Sequence, residues 1–74
     1  MTAREMFEEL GYKCVVDLHT IRYFKKRDDN AHHLGIIFNL KYASFCAYDA
    51  WNTMDIDMPT FKAITKQLEE LGWL

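Results

Sequence analysis

"FEELGY" at Phe7–Tyr12 returns near the far end of the chain as "LEELGW" at Leu68–Trp73. The fold turns on whether that repeat is a duplicated unit or a shared way of ending a helix. Thr2 and Glu5 stand at capping-box spacing ahead of Met6, Phe7 and Leu10, which predicts a helix over residues 3–10. Gly11 then falls at the C′ position, free to turn left-handed. In a Schellman motif the residue after that glycine packs back on C3, which pairs Tyr12 with Phe7. The second phrase obeys the same rule, with Gly72 at C′ and Trp73 against Leu68. Its helix starts after Asp57 as N-cap and carries Pro59 in the first turn, where a missing N–H costs little. It is predicted over residues 58–71, with Met58, Phe61, Ile64, Leu68 and Leu71 recurring at helical spacing. No similarity extends beyond the two phrases, so the repeat is read as two helix stops.

Between the helices the apolar period changes to two. "YKCVVDL" and "TIRYFKK" read as strands around a tight turn near Asp17–Thr20. "HLGIIFN" alternates through Leu34, Ile36 and Phe38, and "SFCAYDA" follows a turn near Leu40–Ala43. The polar run "KRDDNAHH" connects the second strand to the third. The expected architecture is α+β, a single domain over residues 1–74 in the order α-β-β-β-β-α. An antiparallel sheet of three to four strands carries both helices on one face, a cover that so small a sheet needs. Pairing Val16 with Ile21 places Cys14 opposite Tyr23. One face then holds Cys14, Val16, Ile21, Tyr23, Ile36, Phe38, Phe45 and Ala47, the expected core beneath the helices. The other holds Val15, Arg22, Phe24, Ile37, Cys46 and Tyr48, an apolar and aromatic set with no predicted element left to cover it. Two readings stay open for that face. It is an interaction surface, with Arg22, Phe24, Ile37 and Tyr48 as the partner-binding residues. Or it is closed by curling of the sheet, or by Trp51 and the Ala50–Met58 loop folding back.

A chain of 74 residues builds a small core, and cores of this size commonly recruit a disulfide, a metal or a partner. Half its residues are hydrophobic and 15% aromatic, a globular composition. The net charge of −2 argues neither for nucleic acid nor for mimicry of it, but charge is unevenly placed. Lys13 to Arg27 holds five basic residues against Asp17, whereas Ala43–Met58 holds Asp49, Asp55 and Asp57 with no basic residue. Such polarity can orient a partner. The charged start "MTAREMFEEL" lacks the apolar core of a signal peptide, and no apolar run approaches the roughly 20 residues of a membrane span. A cytoplasmic location is expected, where Cys14 and Cys46 are thiols or metal ligands rather than a disulfide.

Enzyme motifs are missing. The chain has no glycine-rich phosphate loop, no G-x-S-x-G elbow and no H-E-x-x-H, so no catalytic residues are assigned and a non-enzymatic role is expected. The meander brings the start of strand one, the second loop and the end of strand four to one end of the sheet. Cys14, His32, His33 and Cys46, with Asp49 as a further candidate, are therefore weighed as ligands of one structural Zn2+, which favours thiolate and imidazole in tetrahedral array. His19 lies at the opposite end. Against zinc, the spacing matches no known finger, and the register puts Cys14 and Cys46 on opposite faces. The plainer alternative is a solvated His-His loop and two cysteines packed as small hydrophobes. "FKKR" at Phe24–Arg27 mixes an aromatic with cations, as single-strand binders do, but two aspartates follow at once. Direct nucleic-acid binding is not expected, and a regulatory protein using a Lys25–Arg27 basic patch is the alternative reading.

"TAREMFEELGY" at residues 2–12 and "FKAITKQLEELGW" at residues 61–73 resemble the ends of a family of small uncharacterised proteins of phages and prophages of Gram-positive bacteria. The likeness covers the two helices and extends to the strands only in pattern. Typical members have a Thr-Met-Glu-Glu-type helix start where this chain has "DMPT", and most lack the "AHH" loop and both cysteines, so a metal site would be peculiar to this branch. The resemblance implies a phage accessory protein acting in the cytoplasm of a bacterial host. Such proteins commonly bind and block a host machine. Some small prophage proteins are anti-CRISPR proteins against the type II RNA-guided nuclease, and genomic company of that kind makes a host defence protein the expected partner. An assembly component of the phage, oligomerising through its sheet edges, is the third class.

Overall fold

The two glycine phrases behave alike. In a computed structural model, which describes residues 1–26, 33–49 and 55–74, Gly11 has φ +92° and Gly72 has φ +76°. The Tyr12 N–H donates to the Phe7 carbonyl and the Gly11 N–H to that of Glu8, both at 3.0 Å. Trp73 and Gly72 repeat the pattern on Leu68 and Glu69 at 2.9 and 3.0 Å. These are the paired bonds of a Schellman motif, and each satisfies carbonyls that a helix end leaves open. The latch is real at the first stop, where the Phe7 and Tyr12 rings meet edge to face with centroids 5.5 Å apart.

The helices they close are α1 (Ala3–Glu9) and α2 (Met58–Glu70). Both starts are capped as their sequences require. Thr2 and Glu5 form a reciprocal capping box, and Asp57 accepts from the Thr60 N–H at 2.9 Å. The two helices lie together, and the Ala3 N–H at the start of α1 donates to the Glu70 carboxylate near the end of α2 at 2.8 Å. That long-range bond satisfies another open donor of α1 and fixes the pair antiparallel.

Between them run β1 (Lys13–Val16), β2 (Thr20–Lys26), β3 (His33–Asn39) and β4 (Ser44–Asp49), one antiparallel sheet in the order β1-β2-β3-β4. The register is the expected one: Val16 faces Ile21 and Cys14 faces Tyr23. Asp17 shapes the first hairpin by accepting from the N–H groups of His19 and Thr20 at 3.1 and 2.9 Å. Asn39 does the same for Lys41 and Tyr42 at the β3–β4 turn, where Ala43 adopts φ +52°.

The core lies between the helices and only part of the sheet. Phe7, Tyr12, Tyr23, Ile36, Phe38, Ala63 and Ile64 form its buried cluster, with Cys14, Ile21, Leu68 and Trp73 packed around it. Phe7 stacks on Tyr23 at 3.9 Å between centroids. Three residues expected beneath the helices lie outside that cluster: Val16 is 61% exposed, Phe45 is 45% exposed and Ala47 is exposed. Strand β4 contributes nothing to the buried cluster, because the helices pack over β1 to β3, and Phe45 meets the core by stacking on Phe38 at 5.5 Å.

The apolar stripe expected on α2 is also corrected. Met58 and Phe61 are exposed, and the buried face is Thr60, Ala63, Ile64 and Gln67, continued by Leu68 and Leu71. Two polar residues turn inward because tyrosine hydroxyls await them. Tyr23 donates to Gln67 Oε1 at 2.5 Å, and the Thr60 side chain lies beside the Tyr12 hydroxyl. A buried hydroxyl without a partner is costly, so the helix turns these residues toward the sheet.

Candidate functional site

The sheet face opposite the helices carries all four residues expected to bind a partner. Alternation puts Arg22, Phe24 and Lys26 of β2 on it, with Val15, Gly35, Ile37, Cys46 and Tyr48 from the neighbouring strands. Arg22, Ile37 and Cys46 form one row across the sheet, and Phe24, Gly35 and Tyr48 the next. Gly35 sets the geometry of that second row. Tyr48 lies so close above it that a Cβ at Gly35 would overlap the ring. Phe24 and Ile37 are half-buried and Tyr48 is 41% exposed, and neither helix touches this side. The suggestion that Trp51 covers it lies outside the described residues, as do residues 50 and 52–54 of the same loop; Asp55, Ile56 and Asp57 are exposed.

Arg22 extends beside Asp17, its Nη2 3.9 Å from Oδ2. Both side chains are about half exposed, so the pair is weak and leaves the guanidinium available to a partner. The Asp17 carboxyl is held below the ordinary range first by the Thr20 side chain, then by the His19 N–H, with Arg22 a smaller influence.

The residues weighed for zinc are not brought together. Cys14 points to the helix side beside Tyr23, whereas Cys46 is exposed on the opposite side. They are also three strands apart, about 14 Å at 4.8 Å per strand. Two thiolates on one zinc sit within about 4.6 Å, twice the Zn–S length. His33 shares a face with Cys46 but lies four residues along from Ile37, the residue that Cys46 opposes. Asp49 lies opposite Leu34, and His32 lies outside the described residues. Among the described residues no group of three His, Cys, Asp or Glu side chains could hold a metal ion. The donors do not fit a Cys14–Cys46 zinc site. Both cysteines are free.

The basic run is also divided by the strand. Lys25 turns to the helix side, where its Nζ donates to the Leu10 carbonyl at 3.2 Å and lies 4.7 Å from the centre of the Tyr12 ring. It is occupied in closing α1. Lys26 faces the other way and is exposed, and Arg27 lies outside the described residues. Sequence reasoning passed over Gly35 and Lys13. The signal for Lys13 was present in the register, which sets it opposite Phe24.

No family model, curated protein or solved structure matches this chain. Among the described residues no helix is long and apolar enough to cross a membrane.

Proposed function

We propose that this protein is a stoichiometric binding inhibitor that docks through the sheet face opposite the helices, and that its target is a host defence protein, the type II RNA-guided nuclease in its guide-loaded form. The observation that carries the docking reading is the convergence of Arg22, Phe24, Ile37 and Tyr48 on one side of the sheet, away from both helices. A half-buried apolar centre gives affinity and the arginine at its border gives orientation. Rigid strands hold these side chains in place before binding, so little ordering is needed on association. The choice of target rests on the resemblance of the two helix phrases to small prophage proteins.

Inhibition by occupancy titrates. DNA cleavage by the guide-loaded nuclease is expected to fall to background near one inhibitor per enzyme, with no further loss on longer incubation. Arg22→Glu and Ile37→Lys are expected to weaken binding at least tenfold, which is about 1.4 kcal/mol, while the thermal midpoint stays within a few degrees. Full cleavage at large excess of the inhibitor would reject the nuclease as target. If a partner is bound and neither substitution weakens it, the face opposite the helices is not the docking surface.

A further inference from the structure

Beside the docking face, at the end of the sheet where β1 and β3 begin and β2 ends, is a concavity of about 290 Å3. Gly11, Lys13, Phe24, Lys25, Lys26 and His33 line it, and no described carboxylate does. Lys25 is engaged with Leu10 and Tyr12, but Lys13 and Lys26 are exposed, and neither they nor His33 has an ion-pair partner among the described residues. Two strands thus deliver a lysine each, and a third an imidazole, to one hollow in a chain whose net charge is −2. Lys26 and His33 stand directly opposite each other in the register. A phosphate placed between them would accept from the Lys26 ammonium and from an imidazole N–H at once. Phe24 sits in the hollow directly opposite Lys13, giving it an aromatic wall.

We infer that this hollow binds one nucleotide unit, with Lys13, Lys26 and His33 around the phosphate and Phe24 stacked on the base. Lysine ammonium groups are the point charges that phosphate oxygens accept from, and the ring supplies a face on which any base can stack. The volume lies at the small end of ligand pockets, suited to one nucleotide. The base must be unpaired to reach Phe24, so the source is either a free nucleotide or a single strand, and not a duplex. This assignment uses different atoms from the protein-docking reading apart from Phe24, and it is tested without any partner protein.

The test is a titration of isotope-labelled protein with inorganic phosphate, AMP and a short oligothymidylate, followed through the amide signals of Lys13, Phe24, Lys26 and His33. Saturable shifts at those four residues are expected with AMP and the oligonucleotide. Tighter binding of AMP identifies a free nucleotide as the source, and tighter binding of the oligonucleotide identifies a strand. Lys13→Gln and Lys26→Gln should each weaken both by about tenfold, as loss of a charge-assisted hydrogen bond does. Each should also flatten the salt dependence of oligonucleotide binding by about 0.7 in log–log slope, and Lys→Arg at either position should restore affinity. Phe24→Leu should weaken AMP and the oligonucleotide about fivefold or more while leaving phosphate binding unchanged. The inference is overturned if no probe produces saturable shifts at these residues, or if the glutamine substitutions change nothing. It is equally overturned if Phe24→Leu leaves AMP binding intact, since phosphate alone would then be recognised.

Discussion

Strands β3 and β4 are neighbours of nearly equal length, yet they live in different environments. On β3, Ile36 and Phe38 are fully buried beneath the helices; on β4, Phe45 and Ala47 are the residues directly opposite them and both are exposed. Both pairs lie on the same side of one sheet. What separates them is the reach of the helix layer, which stops at β3. Alternation of apolar residues tells which side of a sheet a residue occupies, but not whether anything is packed there.

The largest expected effect tests that difference directly. Phe38→Ala should cost about 3–5 kcal/mol, because it removes a ring held by Tyr23 edge-on at 6.1 Å and leaves a cavity. Phe45→Ala should cost about 1 kcal/mol or less, since the ring is already partly in water. Urea unfolding of both variants measures the gap. Equal costs would mean that β4 belongs to the core after all.

The next effect sharpens what the covered side contains. Tyr23→Phe leaves the Gln67 amide without its partner, and Gln67→Leu leaves the Tyr23 hydroxyl without one. Each should cost about 1–3 kcal/mol, and the double substitution less than the sum, because neither polar group is then stranded. Burial, and after it the adjacent Cys14 thiol, pushes the Tyr23 pKa well above the ordinary tyrosine value of 10.0. The sign follows from linkage. The unfolded chain gives up this proton near pH 10 while the fold retains it, so the contribution is complete below that pH and is lost as pH rises toward the folded value. Thermal stability should therefore decline above about pH 10, and less steeply in Tyr23→Phe.

These two polar contacts mark where local reading stops. The capping box at Thr2, the Asp57 cap, both glycine stops and the hairpin register are encoded within a few residues of where they act, and all are visible in the chain. Gln67 and Thr60 look like surface residues of a helix until the hydroxyls of Tyr23 and Tyr12 are known to lie beneath them. Gln67 stands 44 residues from Tyr23, and no periodicity in either segment records that bond. Lys25 is the same lesson at the site: in the chain it belongs with Lys26, and in the fold it is spent on the end of α1. Arg22, Phe24, Ile37 and Tyr48 could be assigned to one side because alternation alone decides that. The close fit of Tyr48 over Gly35 could not.

The two helix stops give a smaller effect. Gly11→Ala and Gly72→Ala should each cost about 1 kcal/mol, since an L side chain is disfavoured at positive φ. Their environments rank them. Tyr12, latched behind Gly11, is 3% exposed and part of the buried cluster, whereas Trp73 behind Gly72 packs at its edge. Gly11→Ala should therefore be the more damaging of the two in thermal unfolding, and the reverse order would show that the C-terminal latch carries more of the core than its exposure implies.

Gly35→Ala should change stability least and still be informative about the side opposite the helices. Its new methyl group would occupy the space of the Tyr48 ring. The atoms that must give way are the far end of a side chain that is 41% exposed, so the ring can swing out toward solvent. An alanine also reduces the freedom of the unfolded chain, a gain of about 0.5–1 kcal/mol over glycine within a strand. The two effects oppose each other, and the thermal midpoint should move by no more than a few degrees. Partner affinity should fall all the same, because the row formed by Phe24, Gly35 and Tyr48 would lose its shape while its composition stayed nearly the same. The Tyr48 ring signals should shift in the same variant. Unchanged affinity with a displaced ring would remove Tyr48 from the docking surface, leaving Arg22 and Ile37 as the row that matters. A large loss of stability would show instead that Tyr48 is locked over the strand, so that β4 is held to β3 by more than its backbone bonds.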